Sequence, residues 1–576
     1  MRIFLSPINP TVGDLDHNAE LIRRAIDAAG RERADLAVLP ELALAGYPPR
    51  DLLLHKSFVA ACERRALAIA RGTTGGLTVV FGTPLPCEHR PAGVTNSLLA
   101  CRDGAVVARY DKRLLPTYDV FDEDRYFVPG DRPVTVTVNK TKVGLAVCED
   151  LWHGADADAD ERYSHRADPI DELRRAGAKL IVAPSASPFA DGKRGLHASI
   201  VAGQAAAARV PVVSIDQSGA NDELIFDGAI LAARPGEPAR LLNTPFTGEP
   251  AVFETGPGID GPGIADKEGE PRAAEGDGPV EKTELVEALA LGIRDYVRKT
   301  GFQSVLVGLS GGIDSALTAA LAVVALGPRH VTGVSMPGEH SSDHSVTDAR
   351  DLADRLGIAC HDAPISGPFE GFRATLDPAF DALDAPRLGA TRPDLADENL
   401  QSRVRGTIMM TLSNRLGALV LTTGNKSEIA VGYSTLYGDM NGALAPLADL
   451  PKMQVYALSE HLNAHPDRFG LMRPPIPEHT ITKPPSAELA PDQKDSDSLP
   501  DYEVLDEIVR RYVDHREPIG LIVTRTQYDP ELVRRMVRLI DRNEYKRKQL
   551  TTSLKVSPVA FGVGRRMPIA QAWHDA

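Results

Sequence analysis

The stretch "SVLVGLSGGIDSALTAALA", residues 304–322, decides how the second half of the chain is read. An apolar, β-branched run leads into Ser310, Gly311 and Gly312, and a helix-forming stretch follows. Strand, glycine turn and helix in that order aim backbone amides at a helix N-terminus, where an anion is favoured. The turn lacks the lysine of the common G-x-x-x-x-G-K-[ST] phosphate loop. Asp314 is placed to face a magnesium ion, and Ser310 and Ser315 add hydroxyl donors. A lone G-G would read as a tight turn that binds nothing. The sequence S-G-G-x-D-S after an apolar strand reads as a phosphate cradle.

Working outward, "TELVEALALGIRDYVRKTGF" has helical spacing before the cradle, and "HVTGVSM" and "ALVLTTGN" read as further strands. A second α/β domain is therefore expected over 281–576. Just upstream, 256–280 is rich in glycine, proline and acids and nearly devoid of large apolar side chains, which predicts a linker. Before it, "RIFLSPI", "ADLAVLPE", "LTVVFGT", "AVVARYD", "KVGLAVCED", "AKLIVAPS" and "VPVVSIDQS" alternate with helical patterns such as "NAELIRRAIDAAGRERA". This is a first α/β domain over 1–255. No internal repeat is visible.

A chain of 576 residues is too long for one core. Its net charge of −15 argues against a broad nucleic-acid footprint, so no nucleic-acid partner is expected. The five cysteines are odd in number, scattered and free of any C-x-x-C pair, which argues against a disulfide framework and a zinc site. The start "MRIFLSPINP" is unlike a signal peptide, and no apolar run reaches membrane-spanning length. A cytoplasmic protein with no membrane association is the expectation.

Three strand ends in the first half carry chemistry. Glu41 follows "ADLAVLP", Lys112 follows "AVVARY", and Cys148 follows "VGLAV". A cysteine at a strand end is usually a small buried hydrophobe. Strands ending in a carboxylate, an ammonium and a thiol can instead bring all three to one rim of an α/β sheet. There the glutamate can take the thiol proton, and the lysine can hold the thiolate and an oxyanion on an acyl group.

These strings resemble the nitrilase, or carbon–nitrogen hydrolase, family, in the variant that serves as the glutamine amidase domain of glutamine-dependent NAD synthetases. The resemblance implies a nitrilase-like αββα sandwich, with Glu41 as general base, Lys112 as oxyanion stabiliser and Cys148 as nucleophile. It also implies glutamine contacts from Tyr118 and, in "SASPFADGK", from Ser187 and Lys193. Glu149, next to the nucleophile, is a ligand for the substrate amino group or else an ordinary exposed acid. Pro184 stands where relatives often carry an asparagine-like residue.

The cradle resembles the pyrophosphate loop of the N-type ATP pyrophosphatases, which adenylate a carboxylate or carbonyl oxygen. "TTGNKSE" and "STLYGDM", with "KPPSAELAPDQKDSDSLPDYEVLD" and "NEYKRKQ", resemble the NAD synthetase family more narrowly. A doubly wound parallel sheet of the adenine nucleotide alpha hydrolase type follows from that likeness. So do ATP contacts from Gly308, Leu309, Ser310, Gly311, Gly312, Ile313, Asp314, Ser315, Thr423, Lys452 and Ser486. Asn399, Glu428 and Lys546 would contact deamido-NAD, and Asp314 and Glu428 would share Mg2+. The string "MPGEHSSDHS" is looser than the family's usual form.

The two resemblances together imply one coupled enzyme: L-glutamine supplies ammonia, ATP activates deamido-NAD, and NAD is formed. Enclosure of ammonia in a passage is expected, and by analogy a homo-oligomer. The rival readings are another glutamine-dependent N-type pyrophosphatase amidotransferase, or a pseudoenzyme scaffold that only binds nucleotide. The acidic stretch "HGADADADERYSHRADP" after Trp152 has no role assigned from sequence.

Overall fold

Side chains along the first strands alternate between two cores, as a period of two requires. The computed structural model describes residues 1–90, 92–154, 161–255, 282–389, 394–491 and 493–573. The linker expected at 256–280 lies outside them, as do residues 155–160 of the acidic stretch. The chain divides into two compact units, Met1–Val280 and Glu281–Ala576.

In the first unit, β1 (Arg2–Leu5), β2 (Leu36–Val38), β3 (Thr78–Pro86), β4 (Val94–Arg102), β5 (Ala105–Asp111) and β14 (Ala251–Glu254) form one sheet, ordered β14-β1-β2-β3-β4-β5. A second sheet takes β6 (Val134–Val138), β7 (Thr141–Leu145), β8 (Leu180–Ser185), β9 (Val212–Asp216), β12 (Ile230–Ala233) and β13 (Arg240–Leu241), ordered β13-β12-β9-β8-β7-β6, and β10 (Ser218–Asn221) pairs with β11 (Leu224–Asp227) as a separate antiparallel hairpin. Between these sheets Ile3, Leu5, Leu36, Val38 and Val80 share a core with Val143, Leu145, Leu180 and Val182. The alternate residues Phe4, Ala37, Val79 and Phe81 pack instead on Ile22, Ala66 and Ile69. Those three come from the helices Leu15–Arg31 and Lys56–Arg71. Ile181 and Ala183 pack on Ile170, Leu173 and Val201 of the helices Pro169–Arg175 and Lys193–Ala208. The result is an αββα sandwich. The first helix starts where Asp14 accepts a bond from the His17 N–H at 3.1 Å, and it buries Ala19, Ile22 and Ala29 on one face.

The second unit is built on a sheet in which every pairing is parallel. Its strands are β15 (Val305–Gly308), β16 (Val331–Ser335), β17 (Ala359–Asp362), β18 (Leu419–Leu421), β19 (Leu444–Ala445) and β20 (Thr552–Ser553), ordered β17-β16-β15-β18-β19-β20. The order runs outward from β15 on one side, then returns to begin again at β18. The crevice at the carboxyl ends of these two strands is the switch point, where such sheets bind ligands. A helical cluster near the C-terminus joins Leu505, Ile508, Val533, Met536 and Ile540 to Ile429 and Val431.

Candidate active sites

Glu41, Lys112 and Cys148 each follow a strand of the sandwich, β2, β5 and β7 respectively, and all three are buried. Gly82 on β3 makes room for the first: a Cβ there would lie 2.2 Å from the Leu42 nitrogen and 2.8 Å from Glu41 Cα. The Lys112 ammonium donates to Glu41 Oε1 at 2.8 Å and to Glu123 Oε1 at 2.9 Å. Asn96 donates to Glu41 Oε1 at 2.6 Å, and the Ala186 N–H to Oε2 at 3.0 Å. Tyr47 donates to Glu123 at 2.9 Å. Burial works against the Lys112 ammonium, but Glu123 and Glu41 outweigh it and hold the group well above its ordinary range. Burial raises Glu123 to about 7 against the pull of Lys112, with Glu41 adding to the rise.

Cys148 has φ 41°, in the left-handed region that a residue with a Cβ rarely occupies. Asp150 fixes this elbow. It accepts from the Val147 N–H at 2.8 Å, the Arg113 N–H at 3.2 Å, the Leu114 N–H at 3.0 Å and Tyr110 Oη at 2.7 Å. One buried carboxylate thus ties the cysteine turn to the backbone just beyond Lys112. Burial pushes the Cys148 thiol well up and Glu41 adds to that, while Lys112 pulls it down. The thiol stands beside the Glu41 carboxyl and the Lys112 ammonium, an arrangement suited to attack coupled with proton transfer.

Glu149 is only 1% exposed, so the exposed-acid alternative does not hold. Tyr118 donates to its two oxygens at 3.2 and 3.0 Å, and Tyr163 donates to Oε1 at 2.7 Å. The Lys193 ammonium donates to the Pro188 carbonyl at 2.9 Å and stands 5.7 Å from the centre of the Phe121 ring. The Ser187 N–H donates to Asp216 at 2.8 Å, and its Oγ meets His197 Nε2 at 3.3 Å. Glu123, Asn96, Tyr47 and Tyr163 were not singled out by sequence. Glu123 sits in "FDEDRYF", where nothing but burial distinguishes it from its acidic neighbours.

In the second unit a cavity of about 440 Å³ opens over the glycine turn. Gly308, Leu309, Ser310, Gly312, Ile313, Asp314, Asn399, Thr423, Glu428, Lys452, Ser486 and Lys546 all line it. Gly311 and Ser315 shape the turn from behind. Gly311 has φ 74°, and a Cβ on it would lie 2.5 Å from the Ser345 carbonyl oxygen. The Ser315 hydroxyl donates to the Gly312 carbonyl at 2.9 Å and meets Ser310 Oγ at 3.2 Å, so it serves the loop. Ser486 donates to the Gln493 carbonyl at 2.5 Å. Asn399 accepts from Thr435 at 2.8 Å, and Lys546 donates to the Gly432 and Ser434 carbonyls, each at 2.7 Å.

At the mouth of the turn the Lys452 ammonium donates to Asp314 Oδ2 at 2.6 Å and to Glu428 Oε1 at 3.0 Å. Asn425 donates to the other Asp314 oxygen at 2.8 Å, and its own Oδ1 accepts the Glu428 N–H at 3.0 Å, capping the helix Lys426–Val431. Burial lifts Glu428 to about 7 in spite of Lys452. Asp314 and Glu428 overcome burial to keep the ammonium charged. Two hard carboxylates converging on one cationic centre fit magnesium, which takes one or two carboxylates together with substrate phosphates. Among the described residues no group of three or more His, Cys, Asp or Glu gathers as a metal site.

The two halves match two different family models. Carbon-nitrogen hydrolase matches residues 5–228, and NAD synthase matches residues 285–550. Together with the sandwich, its buried Cys-Lys-Glu group and the parallel sheet with its glycine turn, these define a class: an amide-hydrolysing domain joined to a nucleotide-activating ligase domain. A glutamine-dependent NAD(+) synthetase from Synechocystis is 41% identical over 579 residues, covering 99% of each chain, and one from Thermotoga maritima is 36% identical over 603 residues. The solved glutamine-dependent NAD+ synthetase of Acinetobacter baumannii, in complex with ADP, superimposes with a TM-score of 0.72 at 33% identity, covering 100% of this chain and 99% of that one. The chain belongs to the glutamine-dependent NAD(+) synthetase family. No helix among the described residues is long and apolar enough to cross a membrane.

Proposed function

We propose that this chain hydrolyses glutamine at Cys148 and uses the ammonia to convert deamido-NAD to NAD at the expense of ATP. One observation carries the reading: the same chain pairs the Lys112-bridged Glu41 and Glu123 beside Cys148 with a Lys452-bridged Asp314 and Glu428 at the mouth of a phosphate-binding turn.

In the first site Cys148 Sγ attacks the side-chain amide carbon of glutamine as Glu41 accepts the thiol proton. Lys112 stabilises the oxyanion. Glu41 returns the proton to the departing nitrogen, ammonia leaves, and a γ-glutamyl thioester remains. Water, activated by Glu41, hydrolyses it to glutamate and restores the thiol. Tyr118, Glu149, Ser187 and Lys193 hold the amino-acid end of the substrate.

In the second site a carboxylate oxygen of the pyridine ring attacks the ATP α-phosphorus, and pyrophosphate leaves into the amides of residues 310–312. Ammonia then attacks the activated carbonyl and displaces AMP. Lys452 and Ser486 take the phosphates, Thr423 takes ATP, and Asn399, Glu428 and Lys546 take the dinucleotide. Asp314 and Glu428 would hold Mg2+, which supplies neutralisation of phosphate charge.

A closed route for ammonia, a homo-oligomeric state and a cytoplasmic location belong to the same proposal. Dilution of nitrogen-15 from glutamine by excess unlabelled ammonium, before it reaches NAD, would exclude the closed route. The decisive assay is NAD formation from deamido-NAD, ATP and magnesium with glutamine or ammonium chloride. Failure with both nitrogen sources would end the reading.

A further inference from the structure

Within the acidic stretch after Trp152, Tyr163 reaches Glu149 directly and Arg162 reaches it through Tyr118. Tyr163 is 7% exposed, packs against Leu114 and Trp152, and donates to Glu149 Oε1 at 2.7 Å. The guanidinium carbon of Arg162 lies 4.2 Å from the centre of the Tyr118 ring and 5.8 Å from that of Tyr163. Tyr118 in turn donates to both Glu149 oxygens. Nε of Arg162 is buried and has no hydrogen-bond partner among the described residues.

A carboxylate at 1% exposure is costly unless donors and a positive charge surround it. Burial indeed raises Glu149, and Tyr163, Lys112, Tyr118 and Arg162 act against that rise. Two phenols cannot satisfy every lone pair of a carboxylate, so Glu149 keeps acceptor capacity for a further donor. An ammonium supplies such donors. The guanidinium face on Tyr118 holds that phenol in place by a cation–π contact.

On the reading that Cys148 hydrolyses glutamine, we propose that Arg162 and Tyr163 are positioning residues that hold Glu149 ionised and aimed as the receptor for the substrate α-ammonium. They thereby make the site select α-amino-acid amides over plain aliphatic amides. Cys148, Lys112 and Glu41 treat any primary amide alike. Discrimination arises at the far end of the substrate, and the stretch after Trp152 contributes to it.

The test uses the full-length protein and two amides: glutamine, and 4-carbamoylbutanoate, which lacks only the α-amino group. Ammonia release gives kcat and KM for wild type, Tyr163→Phe, Arg162→Met and Arg162→Lys. Tyr163→Phe keeps the ring against Leu114 and Trp152 and removes only the donor. It should raise the glutamine KM about tenfold with kcat nearly unchanged, as loss of a bond to a charged group predicts. The values for 4-carbamoylbutanoate should not move, so the preference for glutamine falls by the same factor. Arg162→Met should lower the preference in the same direction, and Arg162→Lys should restore part of it. Unchanged preference in both Tyr163→Phe and Arg162→Met overturns the proposal, and so does an equal loss on both amides. A wild type that hydrolyses neither amide would instead defeat the glutaminase reading itself.

Discussion

The ammonium of Lys452 lies 2.6 Å from Asp314, so a cation already sits at the acidic end of the glycine turn, where on the proposed reading it offsets the repulsion of polyanionic substrates. Asp314 is held from its other side by Asn425, which also starts the helix carrying Glu428. Replacing Lys452 by Met leaves the two carboxylates facing each other. NAD formation should fall by roughly 10²-fold or more with either nitrogen source, as expected for loss of a cation at transferring phosphates. Parallel assays with glutamine and ammonium chloride check this, and glutamine hydrolysis alone should persist. Asp314→Ala should likewise impair both routes.

Cys148→Ala separates the two chemistries. Glutamine-driven NAD formation should vanish while ammonium-driven formation stays close to wild type. Loss of both would contradict the division of labour between the units.

Lys112 is 1% exposed and bridges two buried carboxylates, so its removal has a structural and a chemical effect. Lys112→Met should abolish glutamine hydrolysis. It should also destabilise the first unit by about 3 kcal/mol, because Glu41 and Glu123 are left buried without their cation. A melting curve and an ammonia-release assay on one preparation measure the two effects.

Gly311→Ala tests the turn by backbone geometry alone. Its φ of 74° and the 2.5 Å approach of a Cβ to the Ser345 carbonyl leave no room for a methyl group. The cost should be about 1–3 kcal/mol, and ATP affinity should drop as the amides move. Binding of ATP measured by calorimetry, independent of nitrogen source, reads this directly.

His197 gives a pH dependence whose sign follows from its surroundings. Burial, reinforced by Lys193, depresses its folded value to about 3 from an ordinary 6.5. Between those values the unfolded chain binds a proton that the folded chain does not. The contribution to stability is therefore complete above pH 6.5 and lost as pH falls towards 3, at about 1.4 kcal/mol per pH unit. His197→Gln should flatten the loss between pH 7 and pH 5 by about 2 kcal/mol, measured by denaturant unfolding. Equal slopes in variant and wild type would contradict it.

Much of this molecule is legible in its sequence because long apolar strands and a glycine turn carry strong local signals. The runs around Val38, Leu145, Val182 and Val307 announce buried strands, and the residues just past them become the site. Other parts carry no such signal. The strands β19 and β20 have two residues each and exist only through pairing with β18 and with each other. Glu123 lies among other acids, and only the fold brings it to Lys112 and Tyr47. Tyr163 is 14 residues from Glu149 in a stretch whose composition suggests a solvated loop, yet its hydroxyl is spent on that carboxylate. Composition reports how a segment behaves on average, and one inward-facing side chain escapes it.

The partners of Asp150 are Tyr110, Arg113, Leu114 and Val147, every one of them encoded before Trp152. The turn that carries Cys148 is therefore tied by Asp150 to residues that precede it, whereas the proposed receptor for the substrate amino group also draws on Tyr163, which follows it. On the proposed reading, a substitution at Tyr163 can therefore change which amide is admitted while every bond that Asp150 makes to the cysteine turn stays in place.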